Sequence, residues 1–309
     1  MGNSLSGSMV ALITPMKGGK VDFAGLEQLY RIHAAAGTDG VVVCGTTGES
    51  ATLTHAEHEE LIRHAADFFR DTLGEKSPLL VAGTGSNSTL EAVSLTHFAA
   101  FCKVDAVLVI SPYYNKPTPT GQLIHFKEVA KAAESIPVIL YNVPSRTGLK
   151  MNLPTILELS EVEGVAAIKE ASGDLGLVSE IVRCTPPEFA VISGEDNLTF
   201  PMMALGSVGA ISVTANIIPK QIKQMIDHCL EGDFKAARKI HQDQFTLTEA
   251  LFAETSPIPV KTAINEMAGR VAAGDLNWPP AGEFRLPLCE MREDTHENLR
   301  NELAHRGLV

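Results

Sequence analysis

A lysine closes the apolar run Val165-Ala166-Ala167-Ile168-Lys169. An amine there is poorly solvated; burial disfavours the ammonium form and lowers the pKa. A neutral amine attacks a ketone carbon and forms an imine, so the chemistry open to Lys169 is covalent capture of a carbonyl compound. The same position also suits a strand-end lysine paired with Glu170 at the surface, and spacing alone does not choose between the two. Tyr141 and Tyr114 can each donate and accept a proton. With Thr46 they would form a Tyr–Thr–Tyr chain that moves protons to and from a carbinolamine without a histidine; singly, each also fits a pocket wall with a bonded hydroxyl. Thr46 and Thr47 lie in Gly45-Thr46-Thr47-Gly48, where hydroxyls and backbone N–H groups could hold a carboxylate or simply bond the turn itself. Arg146, between Pro144 and Gly148, carries the planar fork that clamps a carboxylate, though a lone loop arginine is also commonly just solvated.

Groups so far apart in the chain need a scaffold that brings strand ends together. Short runs apolar on both faces recur at Val10–Ile13, Gly40–Cys44, Leu79–Ala82, Ala106–Ile110, Val138–Tyr141, Val165–Lys169, Ala190–Ser193 and Ala210–Val213. This is how parallel strands covered on both sides read. Amphipathic stretches separate them, among them His55 to Arg70 and a helix near Leu153–Leu159 with Pro154 in its first turn. Thr54-His55-Ala56-Glu57 and Ser88-Thr89-Leu90-Glu91 have the spacing of capping boxes. Eight strands alternating with helices predict a (β/α)8 TIM barrel, with an open doubly wound sheet as the alternative. Past Ile218 the runs Asp233–Phe252, Val260–Ala268 and Gly282–His305 read as helical. The expected organisation is therefore a catalytic barrel over residues 1–228 and an added C-terminal helical region over 229–309. In such a barrel the active site lies at the carboxyl ends of the strands, where Thr46, Tyr114, Tyr141, Arg146 and Lys169 all fall.

Composition narrows the functions further. The 309 residues are 45% hydrophobic, and 25 Lys plus Arg against 37 Asp plus Glu give a net charge of −12. An acidic chain without a basic stripe argues against nucleic acid as a partner. Cys44, Cys102, Cys184, Cys229 and Cys289 are odd in number and scattered, the pattern of reduced thiols in a cytoplasmic protein. No apolar run has the length of a membrane span, and the start lacks the features of a signal peptide. Met1-Gly2-Asn3-Ser4-Leu5-Ser6 fits the loose myristoylation pattern, and the bland reading as an ordinary leader is preferred. His55 and His58 have helical spacing without HExxH or a third ligand, so no metal is expected. Gly83-Thr84-Gly85 falls short of a dinucleotide loop, and neither a P-loop nor a GxSxG elbow occurs.

Five motifs carry a resemblance. They are Gly45-Thr46-Thr47-Gly48-Glu49-Ser50-Ala51-Thr52-Leu53, Pro112-Tyr113-Tyr114-Asn115-Lys116-Pro117, Tyr141-Asn142-Val143-Pro144-Ser145-Arg146-Thr147-Gly148, Ile168-Lys169-Glu170-Ala171-Ser172-Gly173 and Gly209-Ala210-Ile211-Ser212-Val213-Thr214-Ala215-Asn216. Each stands at a predicted strand end. Together they resemble the 4-hydroxy-tetrahydrodipicolinate synthase (dihydrodipicolinate synthase) family, within the N-acetylneuraminate lyase superfamily of class I pyruvate aldolases. The likeness runs from about Val10 to the C-terminus and is weakest over the last helices.

The resemblance implies a carbon–oxygen lyase of lysine and diaminopimelate biosynthesis. Lys169 would form the imine with pyruvate, and its enamine would attack L-aspartate-4-semialdehyde, with no cofactor beyond that covalent imine. Tyr141, Thr46 and Tyr114 match the family's proton relay. Its second tyrosine reaches a neighbouring subunit's site, which implies a homo-oligomer, a close dimer commonly paired into a tetramer. Thr47 would hold the pyruvate carboxylate, Gly194 and Ile211 would line the pocket through their backbones, and Arg146 would bind the semialdehyde carboxylate. Ser50, Ala51, His55, His58, Asn87, Glu91 and Tyr113 match the effector site of relatives inhibited by L-lysine, with Glu91 facing the effector's amine and Asn87 its carboxylate. Read without any effector, Glu91 is a capping-box residue and the histidines are helix surface. Other readings are a lyase of sialic or 2-keto-3-deoxy sugar acids, disfavoured by Arg146 and the Tyr113-Tyr114 pair, and a non-catalytic barrel that binds a small acid. A nicotinamide-dependent oxidoreductase lacks its glycine fingerprint.

Overall fold

The computed structural model describes residues 5–74 and 77–309. Most of the myristoylation-like pattern, residues 1–4, lies outside them. Eight parallel strands close into a barrel in sequence order: β1 (Gly7–Ala11), β2 (Gly40–Val43), β3 (Leu79–Gly83), β4 (Ala106–Ile110), β5 (Val138–Asn142), β6 (Val165–Glu170), β7 (Ala190–Ser193) and β8 (Gly209–Ser212). β1 completes the ring by pairing with both β2 and β8. The principal helices of the outer ring are α1 (Phe23–Ala36), α2 (His55–Phe68), α3 (Thr89–Phe101), α4 (Pro119–Ala132), α5 (Leu153–Ser160), α6 (Leu175–Cys184), α7 (Thr199–Ala204) and α8 (Pro219–Leu230). The closed ring decides against the open sheet.

Alternation along the strands sorts the core into two parts. Met9, Val42, Val81, Leu108, Ile139, Ala167, Ile192 and Ile211 fill the barrel. Val10, Val41, Leu80, Val107, Leu140, Ile168, Val191 and Ala210 face outward to the helices. Both faces are buried, so these strands lack the alternating exposed polar residues of a solvated sheet, and the polar residues they do carry, such as Asn142, Lys169 and Glu170, are buried.

The C-terminal region consists of α9 (Phe234–Leu251), α10 (Ile258–Met267) and α11 (Glu293–His305). α9 packs on α8, and α11 packs on α9 and α10. The last barrel helix runs to Leu230, across the boundary drawn at 228.

Three local expectations need correction. The first strand is Gly7–Ala11 rather than Val10–Ile13. Gly7 opens it at φ +89, where a Cβ would stand 2.3 Å from Asp39 Oδ2, and on β8 a Cβ on Gly209 would stand 2.3 Å from the Gly7 carbonyl oxygen. Leu12 and Ile13 are apolar because they are buried beyond the strand end. Residues 282–292 are not helical: Gly282 has φ +72, where a Cβ would meet the Met16 carbonyl oxygen, and Pro287 has no N–H to donate. The box at Thr54–Glu57 forms, but Ser88 makes no side-chain cap bond. Its intended partner Glu91 instead accepts from Ser86 Oγ at 2.5 Å. Finally, the short hairpin pairing Met16–Lys17 with Lys20–Val21 was not anticipated.

Candidate active site

Lys169 reaches the barrel interior because of an irregularity in β6. The pairing with β5 runs Val138↔Val165 and then Ile139↔Ala167, so Ala166 is an extra residue. Strict alternation from Val165, which faces outward, would point Lys169 outward as well. The bulge reverses the parity and turns Lys169 inward, level with its neighbour Tyr141. Lys169 is 5% exposed, and its Nζ stands 4.4 Å from the centroid of the Tyr141 ring. Gly194, at the end of β7, makes room for it: a Cβ there would lie 2.8 Å from Lys169 Cε. A side chain at 194 would press on both Lys169 and Ala171. Glu170 faces the other way, buried, accepting from Asn142 Nδ2 at 2.8 Å and from the Ser172 N–H at 2.6 Å. The surface Lys169–Glu170 pair is therefore absent.

Burial sets the electrostatics. It pulls the Lys169 amine down to about 8, against the opposing field of Asp196 and with the help of Arg146. It pushes the Tyr141 phenol up to about 12, although a hydrogen bond with Thr46 works in the other direction. Tyr141 thus remains a proton donor while Lys169 loses its proton near pH 8, well below an ordinary lysine, the combination that addition of an amine to a ketone requires.

These groups line a cavity of about 520 Å³ at the mouth of the barrel. Thr46, Thr47, Tyr141, Arg146, Lys169 and Gly194 are all on its wall. Arg146 Nη2 donates to the Ser256 carbonyl at 3.1 Å. Ile211 packs among the barrel-filling residues, and Val213 lines the cavity instead. Tyr114 is not brought to Lys169: it is 88% exposed, with a left-handed φ of +71.

A scan of the chain against family models matches residues 4–306 to the dihydrodipicolinate synthetase family. The chain belongs to the dihydrodipicolinate synthetase family. A 4-hydroxy-tetrahydrodipicolinate synthase of Methanosarcina barkeri is 48% identical over 305 residues, covering 98% of this chain and 99% of the relative. Among solved structures of the family, the enzyme of Cyanidioschyzon merolae, described with lysine bound, superposes with TM-score 0.91 at 38% identity, covering 99% of this chain and 100% of that one. The enzyme of Acinetobacter baumannii, described as complexed with pyruvate, gives TM-score 0.90 at 38% identity with the same coverage.

In this member of the family, most of the residues matched to an effector share the same mouth. Ser50, Ala51, His55, His58, Glu91 and Tyr113 line the cavity; Asn87 does not, and its carbonyl accepts from Asn115 Nδ2 at 2.9 Å. His58 is buried and shares a 2.7 Å hydrogen bond with the Gly83 carbonyl; burial holds its pKa below the usual value. His55 stays exposed, 3.7 Å from Glu91.

Three features of this family member went unread in the sequence. Glu195 lines the cavity, and burial raises its carboxyl pKa, with like charge from Asp196 adding to the effect. Glu49 and Lys261 form a buried ion pair at 2.5 Å. Arg285 grips Glu57 through two bonds of 2.6 and 2.8 Å. Only Glu195 had a signal, as the residue after the glycine that ends β7. Among the described residues no helix is long and apolar enough to cross a membrane.

Proposed function

We propose that the protein acts as a 4-hydroxy-tetrahydrodipicolinate synthase, condensing pyruvate with L-aspartate-4-semialdehyde. The observation that carries this reading is a poorly solvated Lys169 amine, at about 8, on the wall of a cavity beside the Tyr141–Thr46 hydrogen bond. Lys169 adds to the ketone carbon of pyruvate. Tyr141 protonates the carbinolamine hydroxyl, which leaves as water, and the imine remains. Loss of a methyl proton gives the enamine, whose carbon bonds to the aldehyde carbon of the semialdehyde. The semialdehyde's own amine then attacks the imine carbon, closing the ring and releasing Lys169. Thr47 holds the pyruvate carboxylate and Arg146 that of the semialdehyde. The imine is itself the electron sink, so the reading calls for no metal and no prosthetic group.

An activity comparison tests it. Pyruvate with aspartate semialdehyde should turn over, whereas the aldehydes of sialic or deoxy sugar acids should not. Arg146→Ala should raise the KM for the semialdehyde by roughly 10- to 100-fold, the worth of a charge-assisted pair, and leave that for pyruvate within about twofold. Turnover with a sugar aldehyde alone would replace the semialdehyde as substrate.

The reading extends to assembly and control. Tyr114, exposed and held in a left-handed conformation, completes the relay of a neighbouring copy in a close dimer, with two dimers forming a tetramer. L-lysine is the effector, its amine taken by Glu91, which spends no bond on capping α3. Millimolar or lower L-lysine should slow the enzyme, and Glu91→Ala should remove the effect; rates unchanged at saturating lysine would end this part of the reading. The five free cysteines suit a cytoplasmic enzyme.

A further inference from the structure

We propose that Glu49 and Lys261 are positioning residues, through which the C-terminal helical region holds the Gly45–Thr52 loop in the shape that receives pyruvate. The inference rests on the proposed pyruvate chemistry and adds to it a dependence on α10, a helix outside the barrel.

The loop is wound around Glu49. The Glu49 N–H donates to the Thr46 carbonyl at 3.1 Å, and the Glu49 carbonyl accepts from the Thr52 N–H at 3.0 Å and the Thr52 hydroxyl at 3.1 Å. Gly48 offers its carbonyl to Thr14 Oγ1 at 2.7 Å. Glu49 itself has φ +55, a conformation that a residue with a Cβ occupies only when its surroundings hold it there.

What holds it is the side chain. Its Oε1 meets Lys261 Nζ at 2.5 Å, and both side chains are fully buried. The Lys261 ammonium also donates to the Glu283 carbonyl at 2.8 Å, and Glu49 Oε2 accepts from the Arg285 N–H at 3.3 Å. All three partners come from the C-terminal region. Arg285 Nη1 continues the clamp to the Thr52 carbonyl at 3.0 Å.

A buried ion pair is a poor source of stability, since desolvation offsets most of the attraction and an apolar pair of similar volume is often as stable. Its consequence is geometric. Moving Glu49 moves the Thr46 carbonyl it holds, and with it the hydroxyl on Tyr141 and the adjoining Thr47. The loop bearing Arg146 is supported mainly from within the barrel, since Asn142 bonds both Glu170 and the Met151 N–H, and Arg146 meets the C-terminal region at the Ser256 carbonyl rather than at the ion pair, so the larger effect falls on pyruvate.

The double variant Glu49→Gln/Lys261→Met removes both charges and leaves no ion unpaired. Melting temperature and both KM values would be measured, with Lys239→Ala, an exposed pair on α9, as the control. The expected result is a folded enzyme whose KM for pyruvate rises at least about tenfold while that for the semialdehyde stays within about twofold. A folded variant with an unchanged pyruvate KM, or with both KM values raised alike, overturns the proposal. Should the double variant not fold, Lys261→Arg, which keeps both charges and changes only the geometry of the pair, is read by the same split. Borohydride trapping of pyruvate on the wild type runs alongside: its failure would remove the pyruvate reading itself, whereas trapping with a variant that behaves as wild type removes only the positioning role.

Discussion

Lys169→Ala is expected to lower kcat by about four orders of magnitude or more, because no other group in the cavity can form the imine and the remaining contacts only bind. The fold should survive, since the lysine makes no structural ion pair and Gly194 already packs against its stem. The wild type should show the matching pH dependence. Only the neutral amine attacks, and a pKa of about 8 leaves roughly a tenth of it neutral at pH 7, some 300-fold more than an ordinary lysine would offer. The sign follows: kcat/KM for pyruvate climbs about tenfold per pH unit below that pKa and levels off above it. A steady-state profile that still climbs tenfold per pH unit through pH 9, with no plateau, would contradict a lowered Lys169 pKa.

Tyr141→Phe carries the second largest effect. The ring that packs against Lys169 is retained, so binding and fold should persist. What is lost is the proton that must reach the carbinolamine hydroxyl, and general acid–base steps are typically worth about 10²- to 10⁴-fold. The loss should appear in kcat, with KM for pyruvate changing little. Thr46→Val, which removes only the hydrogen bond that opposes the rise in the Tyr141 pKa, should give a smaller loss of the same kind. A Tyr141→Phe enzyme retaining more than about a tenth of wild-type kcat would remove the phenol from the relay.

The barrel was legible because parallel strands buried on both faces leave short, wholly apolar runs, and seven of the eight runs lie within a residue of the observed strands. The first was misplaced because it opens on Gly7, at φ +89 against the Asp39 carboxylate, where propensity expects branched residues. Lys169 was legible as a strand-end amine, but its direction was not. The bulge at Ala166 decides that direction, and nothing in Val165-Ala166-Ala167 announces it. Gly282 and Pro287 interrupt a stretch whose apolar spacing imitates a helix. Ser88 and Glu91 have the spacing of a capping box, yet Ser86 takes the carboxylate. Glu49 and Lys261 stand 212 residues apart, and tertiary ion pairs at that separation leave no local pattern to read. Tyr114 sits in a recognisable motif, but a single chain leaves it in solvent.

The most direct test of the central claim is intact-protein mass spectrometry after borohydride reduction in the presence of pyruvate, on the wild type and on Lys169→Ala. One adduct per wild-type chain is expected, with the mass of pyruvic acid less water plus two hydrogens, mapped to the peptide holding Lys169 and absent from the variant. A well-folded wild type that gains no adduct, or an adduct that persists in Lys169→Ala, would contradict it.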